Sequence, residues 1–451
     1  MSAEPIIQPV HIDRAALLAL HAAQSRRYPA LLESAAVGKE LGRHDILFAF
    51  PGDRLTLDAA GTRGAGYHAS ATSFLKVLDE WWVRERQPPR NLTLPFHGGW
   101  LLYLSYELAS SIEPTLQLPK AAGGPVAQAV RMPAAVVFEH RSSSAWIVVE
   151  SSHGHLLKQI EADLTNAVAS CPADDSLLAG RVEEEAPQKY LVSVERALEY
   201  IAAGDIYQAN LSRSWRAELA SKSRPYELYQ RLRQTNPAPF AAIALFDDLC
   251  VISSSPERLI EVRGGWVATR PIAGTRPRGR DQDTDTDLAR ELHAHPKERA
   301  EHVMLIDLER NDLGRICEAG TVEVNEYMTL ESYAHVHHIV SNIRGRLREN
   351  ITPGQTIAAV FPGGTITGCP KVRCMQIIGE LEGQARGPYT GSLGYLNLDG
   401  TMDLNILIRS LELRGNVLTL RAGAGIVADS IPERELEETR AKARGVLRAL
   451  S

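Results

Sequence analysis

Long hydrophobic runs are missing from this 451-residue chain. The longest apolar stretches, Trp100-Leu101-Leu102-Tyr103-Leu104 and Trp146-Ile147-Val148-Val149, fall far short of the roughly 18 residues a membrane helix needs. No membrane span is expected. Charge of one sign is lacking too: 49 Lys and Arg against 55 Asp and Glu leave a formal net charge of −6, which gives no general footprint for nucleic acid. Cysteine is sparse, with five residues scattered and odd in number, so no disulfide framework is expected. The start, Met1-Ser2-Ala3-Glu4-Pro5, lacks the basic-then-apolar layout of a secretory signal, and a reducing cytoplasm is the expected compartment. There is no repeat at fixed period and no low-complexity tract. What remains, with 44% hydrophobic and 23% charged residues, is average globular usage in a length that allows two to four domains of about 100–200 residues.

Along the chain, helical and extended signals alternate as in an α+β protein. Asp13 is placed to cap an Ala/Leu-rich helix ending near Ser25, and Ile46-Leu47-Phe48-Ala49-Phe50 reads as a strand closed by Pro51-Gly52-Asp53. Ala134–Phe138 and Trp146–Val149 flank a polar loop suited to an antiparallel hairpin, and a helix is predicted from His155 to Ser170. Between Cys171 and Gln188 the composition shifts to Pro, Asp, Gly and a Glu183-Glu184-Glu185 run, which reads as a linker. Beyond it a helix from Val192 to Ala203 stops at Gly204, a C-cap glycine. Strands follow at Ala241–Leu245 and Leu249–Ile252, then helices at Lys297–Arg315 and Glu433–Ala449.

Three constellations have chemical content. Glu298 and Glu301 share a helix face with Leu305 and Leu308 and so project toward the interior, and Glu435 and Glu438 repeat the spacing. Inward carboxylates need a cation, and an oxygen-only set suits Mg²⁺; the alternative is an ordinary pairing such as Glu438 with Lys442. Two glycine-rich segments, Phe361–Lys371 and Arg421–Ile426, read as turns that present backbone N–H groups to anions, though neither has phosphate-loop spacing. Thr365, Lys371 and Arg409 are suited to carboxylates in the same place. In Ser253-Ser254-Ser255-Pro256-Glu257-Arg258 a carboxylate follows a strand, where a general acid can stand. His335 and His337 share one strand face opposite His338, a pair without a third ligand, so zinc is discounted. No G-x-S-x-G elbow or comparable cysteine context supports covalent catalysis, and Cys369 reads as a small buried residue.

Read together, these segments resemble the chorismate-utilising enzymes, the family of anthranilate, aminodeoxychorismate, isochorismate and salicylate synthases. The resemblance rests on Gly204–Ser212, Ser255–Arg258, Arg270–Gly279, Glu298–His302, Asp307–Arg315 and the two glycine-rich segments, and more weakly on Pro95–Trp100 and Ser105–Leu108. It implies a large two-sheet antiparallel β-sandwich with helices packed outside, in which residues 1–175 form an N-terminal region and 190–451 the chorismate-binding catalytic region. By the family pattern Glu301 and Glu438 ligate Mg²⁺, with Glu298 and Glu435 behind them holding waters. Glu257 matches the acid that protonates the hydroxyl leaving ring carbon 4. Arg409, Tyr389 and the amides around Gly423 and Gly425 match the positions that hold the substrate's carboxylates, with Thr275 and Thr365 as further substrate contacts and His338 and Lys371 as catalytic candidates.

Two positions divide the family. Gln208 stands where the isochorismate and salicylate synthases carry a water-activating lysine; glutamine is no base, so an aminating enzyme is implied. Ala273 stands where typical aminodeoxychorismate synthases carry a lysine that attacks ring carbon 2, whereas anthranilate synthases have alanine as here. Tyr207–Leu211, Gly363 and Glu309 point the other way, since anthranilate synthases commonly have a valine-rich run, Ala and Gly at those places. The resemblance thus implies aminodeoxychorismate synthase component I of a lysine-lacking kind, serving para-aminobenzoate and folate synthesis, with anthranilate synthase component I as the alternative. A binding module that kept the fold and lost catalysis is disfavoured by the presence of Glu257, Glu301 and Glu438. The two regions leave no length for a further domain, so ammonia is expected from a separate glutamine amidotransferase subunit. Leu31-Leu32-Glu33-Ser34 resembles the segment with which anthranilate synthases bind tryptophan, with Leu32, Glu33 and Ser34 as candidates; otherwise it reads as a helix start.

Overall fold

Short apolar runs along the chain build two antiparallel sheets, each of twelve strands among the described residues of the computed structural model. The structure describes residues 4–35, 42–69, 74–90, 92–121, 123–167, 177–332 and 336–451. The first sheet runs from Ile6–Val10 at one edge through Ser144–Val149, Ala134–Glu139, His44–Ala49 and Ala30–Glu33, then continues with Phe240–Phe246, Leu249–Ser255, Ser410–Arg414, Val417–Ile426 and Gln208–Glu218. The second interleaves early and late segments likewise, placing Gly99–Leu104 beside Ser392–Asn397 and Arg258–Arg263 beside Met402–Asn405.

The two inner faces share one core. Ile46, Phe48, Ala242 and Val251 from the first sheet meet Leu101, Tyr103, Val130 and Leu393 from the second. Each outer face is covered by helices: Leu17 and Leu20, Ile160, Leu228 and Val446 on one, Phe74, Leu78, Ile306 and Ile357 on the other. This is the expected α+β sandwich with helices outside.

Local chemistry explains the boundaries. The helix Ala15–Ala23 starts where the Asp13 carboxylate accepts the Ala15 N–H at 2.7 Å. Proline opens Pro187–Ala202, Pro296–Gly314 and Pro432–Leu447, where its missing N–H costs nothing. Gly204, at φ +80°, ends the first of these as expected.

Four readings need correction. The predicted helix from His155 ends at Thr165; residues 168–170 lie outside the described residues, as do 171–176 of the supposed linker. The acidic run is no linker: Glu183–Glu184 pair with Trp215 and Arg216 as an edge strand, because Arg213 and Arg440 claim the Glu184 carboxylate. Leu31–Ser34 is not a helix start, since Ala30–Glu33 is a strand between His44–Ala49 and Phe240–Phe246. Arg421–Ile426 is not a turn either, but the end of strand Val417–Ile426. Among the described residues no helix is long and apolar enough to cross a membrane.

Candidate active site

The chain changes sheets twice at one place. Residues 256–257 carry it from Leu249–Ser255 in the first sheet to Arg258–Arg263 in the second, and residues 406–409 carry it back from Met402–Asn405 to Ser410–Arg414. The crossings are tied together: Ile406 N–H donates to the Glu257 carbonyl at 3.0 Å, and Ser254 N–H to the Arg409 carbonyl at 3.2 Å. Neither crossing residue is free to pair in a ladder, so Glu257 and Arg409 are aimed where the sheets part. Arg409 takes φ +51° to do so, a left-handed conformation that costs a non-glycine residue about 1 kcal/mol or more.

Glu257 is 5% exposed, and its Oε1 has no hydrogen-bond partner. Burial pushes its carboxyl up to about 7, against the pull of the nearby Thr365 hydroxyl, the Ile272 amide, Arg409 and Lys442. The acid is therefore held half-protonated near neutrality. Thr365, from the short 3₁₀ turn Gly364–Ile366, keeps its hydroxyl buried beside the acid. The Arg409 guanidinium makes no hydrogen bond or ion pair with any described residue, and burial lowers its pKa. His338, in strand Val336–Arg346, approaches the Gly274 carbonyl through Nδ1 at 3.3 Å, and burial, with Arg409 nearby, pushes it down to about 4. Its imidazole is neutral at pH 7.

Beside the acid lies a cradle made by missing side chains. A Cβ on Gly423 would stand 2.8 Å from both the Tyr389 hydroxyl and Asn210 Oδ1, and one on Gly425 would stand 2.6 Å from Gln208 Nε2. The missing side chains thus let Asn210, Tyr389 and Gln208 pack directly against the strand, whose Gly423 would otherwise also collide with the Leu211 carbonyl at 2.5 Å. Asn210 Oδ1 and Gln208 Oε1 are buried without partners. Burial raises the Tyr389 phenol to about 12, so it stays a donor, and Arg386 sits over its ring at 5.6 Å. Below, Glu382 joins Arg386 at 2.6 Å to Arg421 at 2.8 Å, a buried triad that fixes the strand end.

The four helix carboxylates come together across two helices. Burial raises the Glu301 carboxyl, and Glu298, Glu438 and Glu435 raise it further while Lys297 opposes them. The set is only part-buried, contrary to the expected inward projection: Arg276 holds Glu298 at 3.1 Å, Lys297 lies 3.9 Å from Glu301, and Lys442 pairs with Glu438 at 2.8 Å. These cations partly balance a site that would otherwise repel itself. Lys442 also donates to the Gly423 carbonyl at 3.0 Å, linking this cluster to the cradle. Gly274, at φ +64° in the bulge of Ile272–Pro277, touches the cluster, since a Cβ there would stand 2.9 Å from Glu298 Oε2. No three His, Cys, Asp or Glu side chains among the described residues form a complete cage. Carboxylates gathered in this way are nonetheless the donor chemistry Mg²⁺ takes, since it needs only one or two of them beside waters and substrate oxygens.

Other expectations fall in different places. Ala273 pairs with Ile339, and Thr275 stands opposite His338 in register; the Thr275 side chain lies outside the described residues, as does His335. Lys371 is ion-paired with Asp312 and donates to the Val360 carbonyl at 3.2 Å, so its charge is already engaged. His337 is held by Asp285 at 3.0 Å and Ser332 at 2.8 Å. Cys369 is half-buried, with a thiol raised by burial. Leu32, Glu33 and Ser34 line a separate cavity of about 340 Å³ between the sheets, together with Phe240, Arg258 and Tyr395. There the Glu33 carboxylate accepts from Tyr229 at 2.5 Å and Arg233 at 2.9 Å. Three residues at the site escaped sequence reasoning as participants: Asn210, Lys442 and Glu309. The only available signal was the company Asn210 and Glu309 keep in their motifs.

Residues 40–448 match the family described as chorismate binding enzyme. An anthranilate synthase component I-like protein of Synechocystis is 43% identical over 362 residues, 79% of this chain and 73% of its own. The aminodeoxychorismate synthase component 1 of Bacillus subtilis is 37% identical over 450 residues, 95% of this chain and 93% of its own. Among solved structures, anthranilate synthase component I from Streptococcus pneumoniae superimposes with a TM-score of 0.80 at 33% identity, covering 91% of this chain and 93% of that one.

Proposed function

The chain belongs to the chorismate binding enzyme family, and on that premise we propose that it is the component I of an aminodeoxychorismate synthase, converting chorismate and ammonia to 4-amino-4-deoxychorismate. Glu309 carries this choice. It is a buried carboxylate in the floor of the site, where anthranilate synthases commonly have glycine.

In this reading Arg409, half-buried and without an ion pair among the described residues, takes a carboxylate of chorismate, while Tyr389 and the amides around Gly423 and Gly425 orient the other. Thr365 and Asn210 offer a hydrogen bond each to the ring oxygens. Glu257, protonated near neutrality, gives its proton from the carboxyl to the carbon-4 hydroxyl, which leaves as water. Without a lysine at position 273, ammonia itself adds at carbon 2 as that hydroxyl departs. A second ammonia then attacks carbon 4, the double bond shifts back, and the first nitrogen leaves as ammonia. One ammonia is consumed and one water formed. Gln208 cannot activate water, which protects the intermediate from hydroxylation. Mg²⁺, when bound, supplies positive charge against the ring carboxylate; Glu301 and Glu438 would hold it, with Glu298 and Glu435 reaching it through waters. Ammonia comes from a separate glutamine amidotransferase component.

The second reading, anthranilate synthase component I, is favoured by Ala273 and by the Synechocystis relative. Product analysis separates the two. With chorismate, Mg²⁺ and ammonium, the expected product is 4-amino-4-deoxychorismate without pyruvate; stoichiometric anthranilate and pyruvate would overturn it.

The cavity at Leu32–Ser34 falls within the roughly 300–1,000 Å³ of small-molecule sites, and its volume of about 340 Å³ supports tryptophan as a regulatory ligand there. Calorimetric titration with tryptophan is expected to show saturable heat that Ser34→Trp abolishes. A flat titration removes the ligand.

A further inference from the structure

The segment that carries the acid into the second sheet enters it on an irregular ladder. Arg258 pairs with Asn405 on one side and Arg270 on the other, and against both neighbours the register slips by one residue directly after it. A bulge of this kind re-aims a side chain and interrupts the pairing that would otherwise fix it. Packing supports the place on one side only, because the cavity of about 340 Å³ lined by Leu32–Ser34 also borders Arg258, Asp403 and Phe240 behind the crossing. A fork of hydrogen bonds takes over. Arg258 Nε donates to Asp403 Oδ1 at 2.9 Å and Nη2 to Oδ2 at 2.8 Å, while Nη1 reaches Glu261 at 3.4 Å and the guanidinium lies over the Phe240 ring at 5.4 Å.

We propose that Arg258 is a positioning residue for the acid: its two-pronged hold on Asp403 ties the two sheet crossings to one another and so fixes the direction in which Glu257 offers its proton. The inference rests on the reading of Glu257 as proton donor.

The fork joins the two places where the chain changes sheets. Arg258 directly follows Glu257 at the end of the first crossing, and Asp403 lies on strand Met402–Asn405, from which the second crossing departs. On the other side of the acid the crossings meet through the main chain: Ile406 N–H donates to the Glu257 carbonyl at 3.0 Å, and the Ser255 hydroxyl accepts the Glu257 N–H at 3.3 Å and donates to the Ile406 carbonyl. Glu257 is thus tied before its own position by Ser255 and after it by Arg258. The ion pair itself adds little net stability, since taking both charges out of water offsets most of their attraction. What the planar fork adds is direction, which the point charge of a lysine does not supply. Direction is what an acid needs, because its proton must come within hydrogen-bond reach of the leaving oxygen.

The test is steady-state kinetics of variants made with and without the acid. Arg258→Lys keeps the charge and loses the fork; Asp403→Asn keeps the shape and exchanges one oxygen for an amide nitrogen, so it carries the test if the lysine variant does not fold. Each is expected to lower kcat about 10-fold, within the roughly 10² that an ångström of misplacement costs, and to leave KM for chorismate within about twofold of the parent. In the Glu257→Gln background, where residual turnover is read by product accumulation, the same changes are expected to lower kcat no further, because no acid is left to place. A role in packing alone would lower the melting temperature and reduce turnover by the same factor in both backgrounds. If Glu257→Gln is inactive or nearly so, and the fork variants keep parental kcat or lose as much without the acid as with it, the inference fails and the acid stands. If Glu257→Gln keeps full activity, the reading of the acid fails and takes the inference with it.

Discussion

Replacing Glu257 by Gln is expected to lower kcat by about 10³-fold, within the 10²–10⁴ that a positioned acid contributes, with KM for chorismate changed little. Gln keeps the shape of the side chain and has no proton to give, and hydroxide is a poor leaving group. Glu257 is pushed up to about 7 by burial, so kcat/KM of the parent should fall as pH rises through that value. Steady-state rates over pH 5.5–9 check both statements. A Gln variant with parental kcat would remove Glu257 from the chemistry.

The same burial makes an expected difference in stability. A folded-state value of about 7 against the ordinary 4.5 means that the folded protein binds this proton more tightly than the unfolded chain. The associated stability is complete below about pH 4.5 and is lost as pH rises through 7. Glu257→Gln never ionises. It should therefore be more stable than the parent at pH 8.5, by up to about 3 kcal/mol, and lose that advantage below pH 5.

How much of this was legible beforehand differs by element. Strands such as Ala134–Glu139 and Leu249–Ser255 announce themselves because consecutive apolar residues are buried on both faces by a second sheet and by helices. The Glu183–Glu185 run misled for the opposite reason: its composition says solvent, and only the fold brings Arg213 and Arg440 to it from far along the chain. Arg421–Ile426 misled because glycines mark turns locally, whereas here they thin a strand so that Tyr389, Asn210 and Gln208 can pack against it. The acid was legible through its motif. Its setting was not, since the two sheet crossings that place Glu257 beside Arg409 lie some 150 residues apart and no local pattern encodes their meeting. Glu309 and Lys371 show the same limit, because whether a charge faces a ligand or a neighbour depends on contacts such as Lys371 with Asp312.

Replacing Arg409 by Met is expected to raise KM for chorismate about 30-fold or more with a smaller change in kcat, and at the same time to raise the melting temperature of the ligand-free protein. The two effects have one cause. A half-buried guanidinium without an ion pair among the described residues is a partly desolvated charge that the fold carries at a cost, and burial lowers its pKa. Its left-handed backbone, φ +51°, adds strain that the variant keeps, so the gain in stability comes from the charge alone. A substrate carboxylate that engages Arg409 offsets the cost, and losing a buried charge-assisted contact typically takes about 2–5 kcal/mol from binding, which is 30-fold or more. A third consequence follows from position. Arg409 lowers the Glu257 carboxyl, so without it the acid holds its proton more tightly and the alkaline limb of the rate profile should move to higher pH. Steady-state kinetics, calorimetry and a pH series read the three separately. An unchanged KM would mean that the carboxylate binds elsewhere; an unchanged melting temperature would mean that the charge is balanced without substrate.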